Sequence, residues 1–168
     1  MRYTPAALAL SLAFGLTASV LYSAPSSVLD PRASALVSEG RGAVASGNLE
    51  QAVDNFEAAL AIQPGSVTVM LELADATRRQ GMQGKALHYY RVALVQDPQN
   101  IEAITGEGTA LVEKGAVEKA KRSLARLTTL CGKTCPQTKQ LALAIAKGPT
   151  PRMVSADEVK PTPVVSQN

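Results

Sequence analysis

Apolar residues along the middle of the chain recur every three to four positions, break at a glycine, recur again, and then stop at a proline or glycine. That period keeps one face of an α-helix apolar. Laid in rows beginning at Ala33, Val67 and Ile101, the pattern falls into register at a spacing of 34 residues. Gly47, Gly81 and Gly115 align, as do Ala52, Ala86 and Ala120. Phe56, Tyr90 and Leu124 form the next large apolar column. Ala59 and Ala93 align with Leu127, and Pro64 and Pro98 align with Gly132. Each row predicts two helices joined at the glycine.

The columns have physical roles. The glycine permits a tight turn after the first helix. The aligned alanine lets two helix axes approach closely, and the large residue of the next column fills the space beside it. The proline lacks a backbone N–H and stops the second helix. A single such hairpin cannot bury its apolar face, whereas three stacked hairpins can. A fourth row would begin at Cys135, where Leu141, Ala142 and Ile145 match first-helix positions, but it stops at Gly148-Pro149. Residues 135–147 therefore predict a single capping helix over the last hairpin.

The rows resemble the tetratricopeptide repeat (TPR) family. "GNLEQAVDNFEAALAIQP" and "GMQGKALHYYRVALVQDP" are similar to the second half of its motif, and "GAVEKAKRSLARLTTLCG" keeps the register. The first helices depart from it. The early aromatic position holds Leu36, Met70 and Ile104, and the next pair is Glu39-Gly40, Leu73-Ala74 and Glu107-Gly108. The expected fold is all-α: an α-solenoid of three TPR hairpins (33–66, 67–100 and 101–134) plus a C-terminal capping helix (135–147).

The resemblance implies a concave groove, lined by the first helices, that holds a partner peptide or helix. Carried over residue by residue, groove positions are Ser34, Val37, Arg41, Val44 and Ala45 in the first repeat. They are Thr68, Leu71, Asp75, Arg78 and Arg79 in the second, and Glu102, Thr105, Thr109, Val112 and Glu113 in the third. Val37, Arg41, Leu71, Asp75, Arg78, Arg79, Thr105, Thr109 and Val112 form the predicted partner-binding set. Chaperone-binding members of the family grip a C-terminal carboxylate with Lys and Asn. The matching places here hold Val37, Arg41, Glu72, Glu102 and Gly106, so that clamp is not expected. Arg78 and Arg79 have two readings: favourable interaction with the helix C-terminus, or capture of an acidic partner side chain.

Outside the repeats, Arg2 precedes an apolar run from Ala6 to about Ala24. Residues 1–24 read as an export signal, with an uncleaved membrane anchor as the alternative. Residues 25–32 read as a linker. The proline-rich tail, 148–168, lacks helix or strand periodicity and is expected to be disordered. The localisation these features imply is periplasmic or secreted, or inner-membrane anchored with a periplasmic domain. Family resemblance adds a bacterial setting.

The low aromatic content, 4%, beside abundant Ala and Leu suits packed helices over a β-sandwich. A net charge of +3 is too mild to indicate nucleic acid. The charge is uneven, however. Residues 39–113 carry ten acids against five bases, and residues 114–147 carry eight bases against Glu118 alone. The basic end is a candidate for contact with an acidic protein or an anionic lipid surface.

Catalysis finds little support. There is no Gly-rich phosphate loop, nucleophile elbow or paired metal-ligand motif, and the single histidine, His88, falls off the core face. No enzyme, cofactor or metal is expected. Cys131 and Cys135 have three readings. The favoured one is a disulfide that fixes the angle of the capping helix, because the intervening loop can bend enough to bring the Cα atoms to about 5.5 Å. A redox site or a copper site remains the alternative, giving a thiol-redox or copper-handling accessory protein. The three-residue spacing is wrong for a CxxC motif, and no third metal ligand lies nearby.

Overall fold

The computed structural model describes residues 28–149. They form seven α-helices: α1 (Pro31–Ala45), α2 (Leu49–Ile62), α3 (Val67–Arg79), α4 (Gln83–Gln96), α5 (Ile101–Glu113), α6 (Val117–Cys131) and α7 (Pro136–Lys147). The hairpins are α1/α2, α3/α4 and α5/α6. Successive hairpins pack through α2 on α3 and α4 on α5, and α7 lies against both α5 and α6. The architecture is an all-α solenoid of three hairpins and a cap. The segment read as signal, residues 25–27 of the linker and most of the tail lie outside the described residues. Among the described residues no helix is long and apolar enough to cross a membrane.

Local chemistry explains the boundaries. Asp30, Asn48, Ser66 and Asn100 each accept a hydrogen bond from a first-turn N–H, capping α1, α2, α3 and α5. Pro31 occupies the first turn of α1, where its missing N–H costs nothing, so α1 starts inside the segment read as linker. Each first helix ends in the same way. At α1, Asn48 N–H donates to the Ala43 carbonyl and Gly47 N–H to the Val44 carbonyl, a Schellman closure that needs positive φ at the glycine (+80° at Gly47). The pattern repeats at Gly81 and Gly115.

The alanine column is fully buried at Ala52, Ala86 and Ala120, and so are Phe56, Ala59, Ala93 and Leu127. A further set of close approaches involves glycines inside first helices. A Cβ at Gly40 would stand 2.5 Å from the Phe56 ring, and one at Gly108 would stand 2.5 Å from Leu141. The Glu39-Gly40 and Glu107-Gly108 pairs, which depart from the family pattern, thus receive a large side chain where another residue would clash. The capping helix is seated by this means: Leu141, fully buried, presses on the bare backbone of Gly108.

Candidate functional site

Residues from α1, α3, α5 and α7 surround an open groove of about 590 Å3. Arg41, Leu71, Asp75, Arg78, Thr105 and Thr109 of the predicted set line it. Val37 and Val112 do not. They are 3% and 2% exposed and belong to the core. The position of Val112 in its row is that of Arg78. A long cationic side chain there reaches out to the groove, whereas valine has no charge to carry to water and stays inside. Arg79 is one residue further round the helix and also misses the groove. It is exposed and lies 3.4 Å from Asp75 Oδ2.

The polar groups of the groove are largely committed. Arg41 Nη2 pairs with Glu72 Oε1 at 2.6 Å. Arg78 donates to Asp75 Oδ1 at 2.7 Å and also to Glu113 Oε1. Burial opposes the charge on Arg78, but the hydrogen bond and charge of Asp75 and the charge of Glu113 outweigh it and hold the guanidinium firmly protonated. Arg78 therefore has no free charge for an acidic partner side chain. The Thr105 hydroxyl donates to the Ile101 carbonyl and the Thr109 hydroxyl to the Thr105 carbonyl, so each turns only acceptor lone pairs outward. Glu102 is exposed on the groove wall and enters no ion pair among the described residues. Among the described residues the groove has three carboxylates, two paired arginines and no unpaired cation.

Four lining residues lay beyond the first-helix alignment. Tyr90 comes from α4, Asn100 from the loop before α5, and Gln137 and Gln140 from the cap. Tyr90 reaches the groove because Gly106 has no side chain. A Cβ there would stand 2.2 Å from the ring. Burial, reinforced by the charge of Asp75, pushes the Tyr90 phenol up to about 12. Below pH 10 the phenol is neutral in folded and unfolded chains, and its contribution is complete. Above pH 10 the unfolded chain ionises first, so stability falls as pH rises towards 12. The expected loss is about 2–3 kcal/mol across that window. Urea unfolding of wild type and Tyr90→Phe at both ends of the window checks it: the variant should lose less stability.

Cys131 ends α6 and Cys135 is the N-cap position of α7. Their Cα atoms are 5.7 Å apart, with the sulfurs placed as in a disulfide. His88 is exposed and meets the Tyr89 ring edge-on at 5.6 Å. Among the described residues no group of three or more His, Cys, Asp or Glu is arranged to hold a metal ion.

Repeated helical hairpins, a concave groove and a terminal cap define a helical-repeat solenoid. Within that class the fold is that of tetratricopeptide repeat domains, and residues 37–101 match the family described as tetratricopeptide repeat. No curated protein matches the chain. Among solved structures 107 chains do. The Sgt2 TPR domain from Aspergillus fumigatus is 25% identical, with a TM-score of 0.65 over 74% of this chain and 83% of that one. The TPR2B domain of yeast Sti1, solved in complex with pHsp70, is 17% identical, with a TM-score of 0.64 over 70% and 98%. The second TPR domain of human RPAP3, solved with the HSP70 peptide SGPTIEEVD, is 21% identical, with a TM-score of 0.61 over 69% and 93%.

Proposed function

We propose that this chain is a non-catalytic interaction scaffold that holds a segment of a partner protein, as a peptide or helix, in its concave groove. The observation that carries this reading is the groove itself, open across three first helices and the cap. Fold neighbours solved with chaperone peptides support it. The groove's charge points to a different ligand from the acidic peptide held by human RPAP3. With both arginines neutralised and Glu102 unpaired, a segment bearing Lys or Arg is favoured, and an acidic one is repelled. Glu102→Lys should weaken binding of a lysine-bearing helical peptide by roughly tenfold or more in a fluorescence titration. Unchanged affinity would contradict the assignment.

The setting we infer is the bacterial envelope. The apolar run after Arg2 and the Cys131–Cys135 pair support it, because such pairs persist in oxidising compartments. Alkylation of protein taken directly from the envelope should leave both cysteines unlabelled, and labelling of both would contradict it. In the folded chain, Cys131→Ser with Cys135→Ser should lower hydrogen-exchange protection of α7 by about 1–2 kcal/mol, as suits so short a loop. Leu141 should keep the helix docked, and α1 to α5 should be unaffected.

A further inference from the structure

A second depression, of about 250 Å3, shares no residue with the groove. Its wall includes Arg91 from α4, Glu107 from α5, and Lys119, Arg122, Ser123 and Arg126 from α6. Four cations thus converge on one acid, and that acid is already used: Arg91 Nε donates to Glu107 at 3.0 Å. Arg126 donates to the Pro98 carbonyl, which holds the guanidinium in place without neutralising it. Lys119 and Arg122 enter no ion pair among the described residues. Ser123 is 7% exposed, and its hydroxyl makes no hydrogen bond among the described residues. A donor of that kind, nearly buried beside uncompensated cations, is arranged for an anion.

Helical phase extends the site. Lys119, Arg122, Arg126 and Leu130 follow one another at intervals of three or four along one face of α6. Leu130 is 36% exposed. We infer that this face docks on an anionic bilayer, with a headgroup phosphate in the depression and Leu130 at the acyl boundary. A free phosphate would satisfy the depression alone and leave the adjoining Leu130 without a role. A headgroup plane engages both.

The test is co-sedimentation of the full chain with phosphatidylcholine vesicles, with and without phosphatidylglycerol, at low and high salt. Binding is expected only to the anionic vesicles, at low salt, and Arg122→Glu with Arg126→Glu should weaken it more than roughly tenfold. Lys114→Glu with Lys121→Glu changes net charge equally outside the depression and should weaken it much less. Circular dichroism confirms that both variants are helical. Absence of binding at low salt overturns the inference, as does equal loss in the two variants. Equal binding to both vesicle types, as insertion of the apolar run 6–24 would give, also overturns it. Binding of inorganic phosphate by the full chain without binding to either vesicle type would reassign the site to a free phosphate. Salt-sensitive self-association without vesicle binding would reassign it to the acidic repeats of a second copy.

Discussion

Replacing Arg78 by Glu is expected to destabilise the array by roughly 3–5 kcal/mol, the cost of breaking a buried ion pair and leaving its partners uncompensated. The Arg78 side chain is 20% exposed and serves Asp75 and Glu113 together. Glu113 Oε2 is already buried without a hydrogen-bond partner, so its carboxylate depends on this one cation. A glutamate would gather three carboxylates at the base of the groove. The neighbouring change Arg79→Glu is a control of identical charge. Arg79 is exposed and loses only a 3.4 Å pair with Asp75, worth about 0–1 kcal/mol. Urea unfolding of the two variants checks the contrast, and equal midpoints would contradict it. A failure of the Arg78 variant to bind partners would report a damaged groove floor, so groove specificity has to be probed through Glu102.

The second large effect is expected at Phe56. Its ring is fully buried, and its edge lies against the bare backbone of Gly40. Phe56→Ala should cost about 3–5 kcal/mol, through lost burial and through the cavity it leaves. Gly40 has no side chain to move into that space. Gly40→Ala alone should destabilise, because its Cβ would meet the ring at 2.5 Å, while helix propensity returns about 0.5–1 kcal/mol. Combined with Phe56→Ala, the same methyl enters the cavity. The double variant should therefore be more stable than the sum of the single effects implies, by about 1 kcal/mol or more. Chemical denaturation of the four proteins measures the coupling, and strict additivity would contradict the contact.

Both effects bear on what a sequence can disclose. The column of Gly47, Gly81 and Gly115 was legible because only a residue at ease with positive φ suits the closure that ends each first helix. The Ala52, Ala86 and Ala120 column was legible because close helix approach demands a small side chain. Gly40 and Gly108 were visible only as departures from the family motif. A glycine inside a helix says that something large comes near, but not whether it is the ring of Phe56 or the cap's Leu141.

The groove was legible where a first-helix position holds a side chain that must reach water, as at Arg41, Asp75 and Arg78. It was misread where the same row position holds valine, as at Val112, because helical phase cannot say on which side of the groove's rim a short apolar side chain settles. Tyr90, Gln137 and Gln140 come from a second helix and from the cap. Their presence depends on how the array curves and closes, which no single row encodes. The pairing of Arg78 with Glu113 was likewise hidden, since Glu113 belongs to the next repeat.

The central claim is that the groove takes a protein segment chosen by its basic side chains. Selection of a random peptide library on the full chain tests it most directly, with Glu102→Lys as the counter-screen. The expected result is enrichment of Lys- or Arg-bearing sequences that lose binding to the counter-screen variant and, in an amide-shift map, perturb α3, α5 and α7 along the groove. Enrichment of peptides ending in acidic residues, or of peptides that bind both proteins equally, would contradict it.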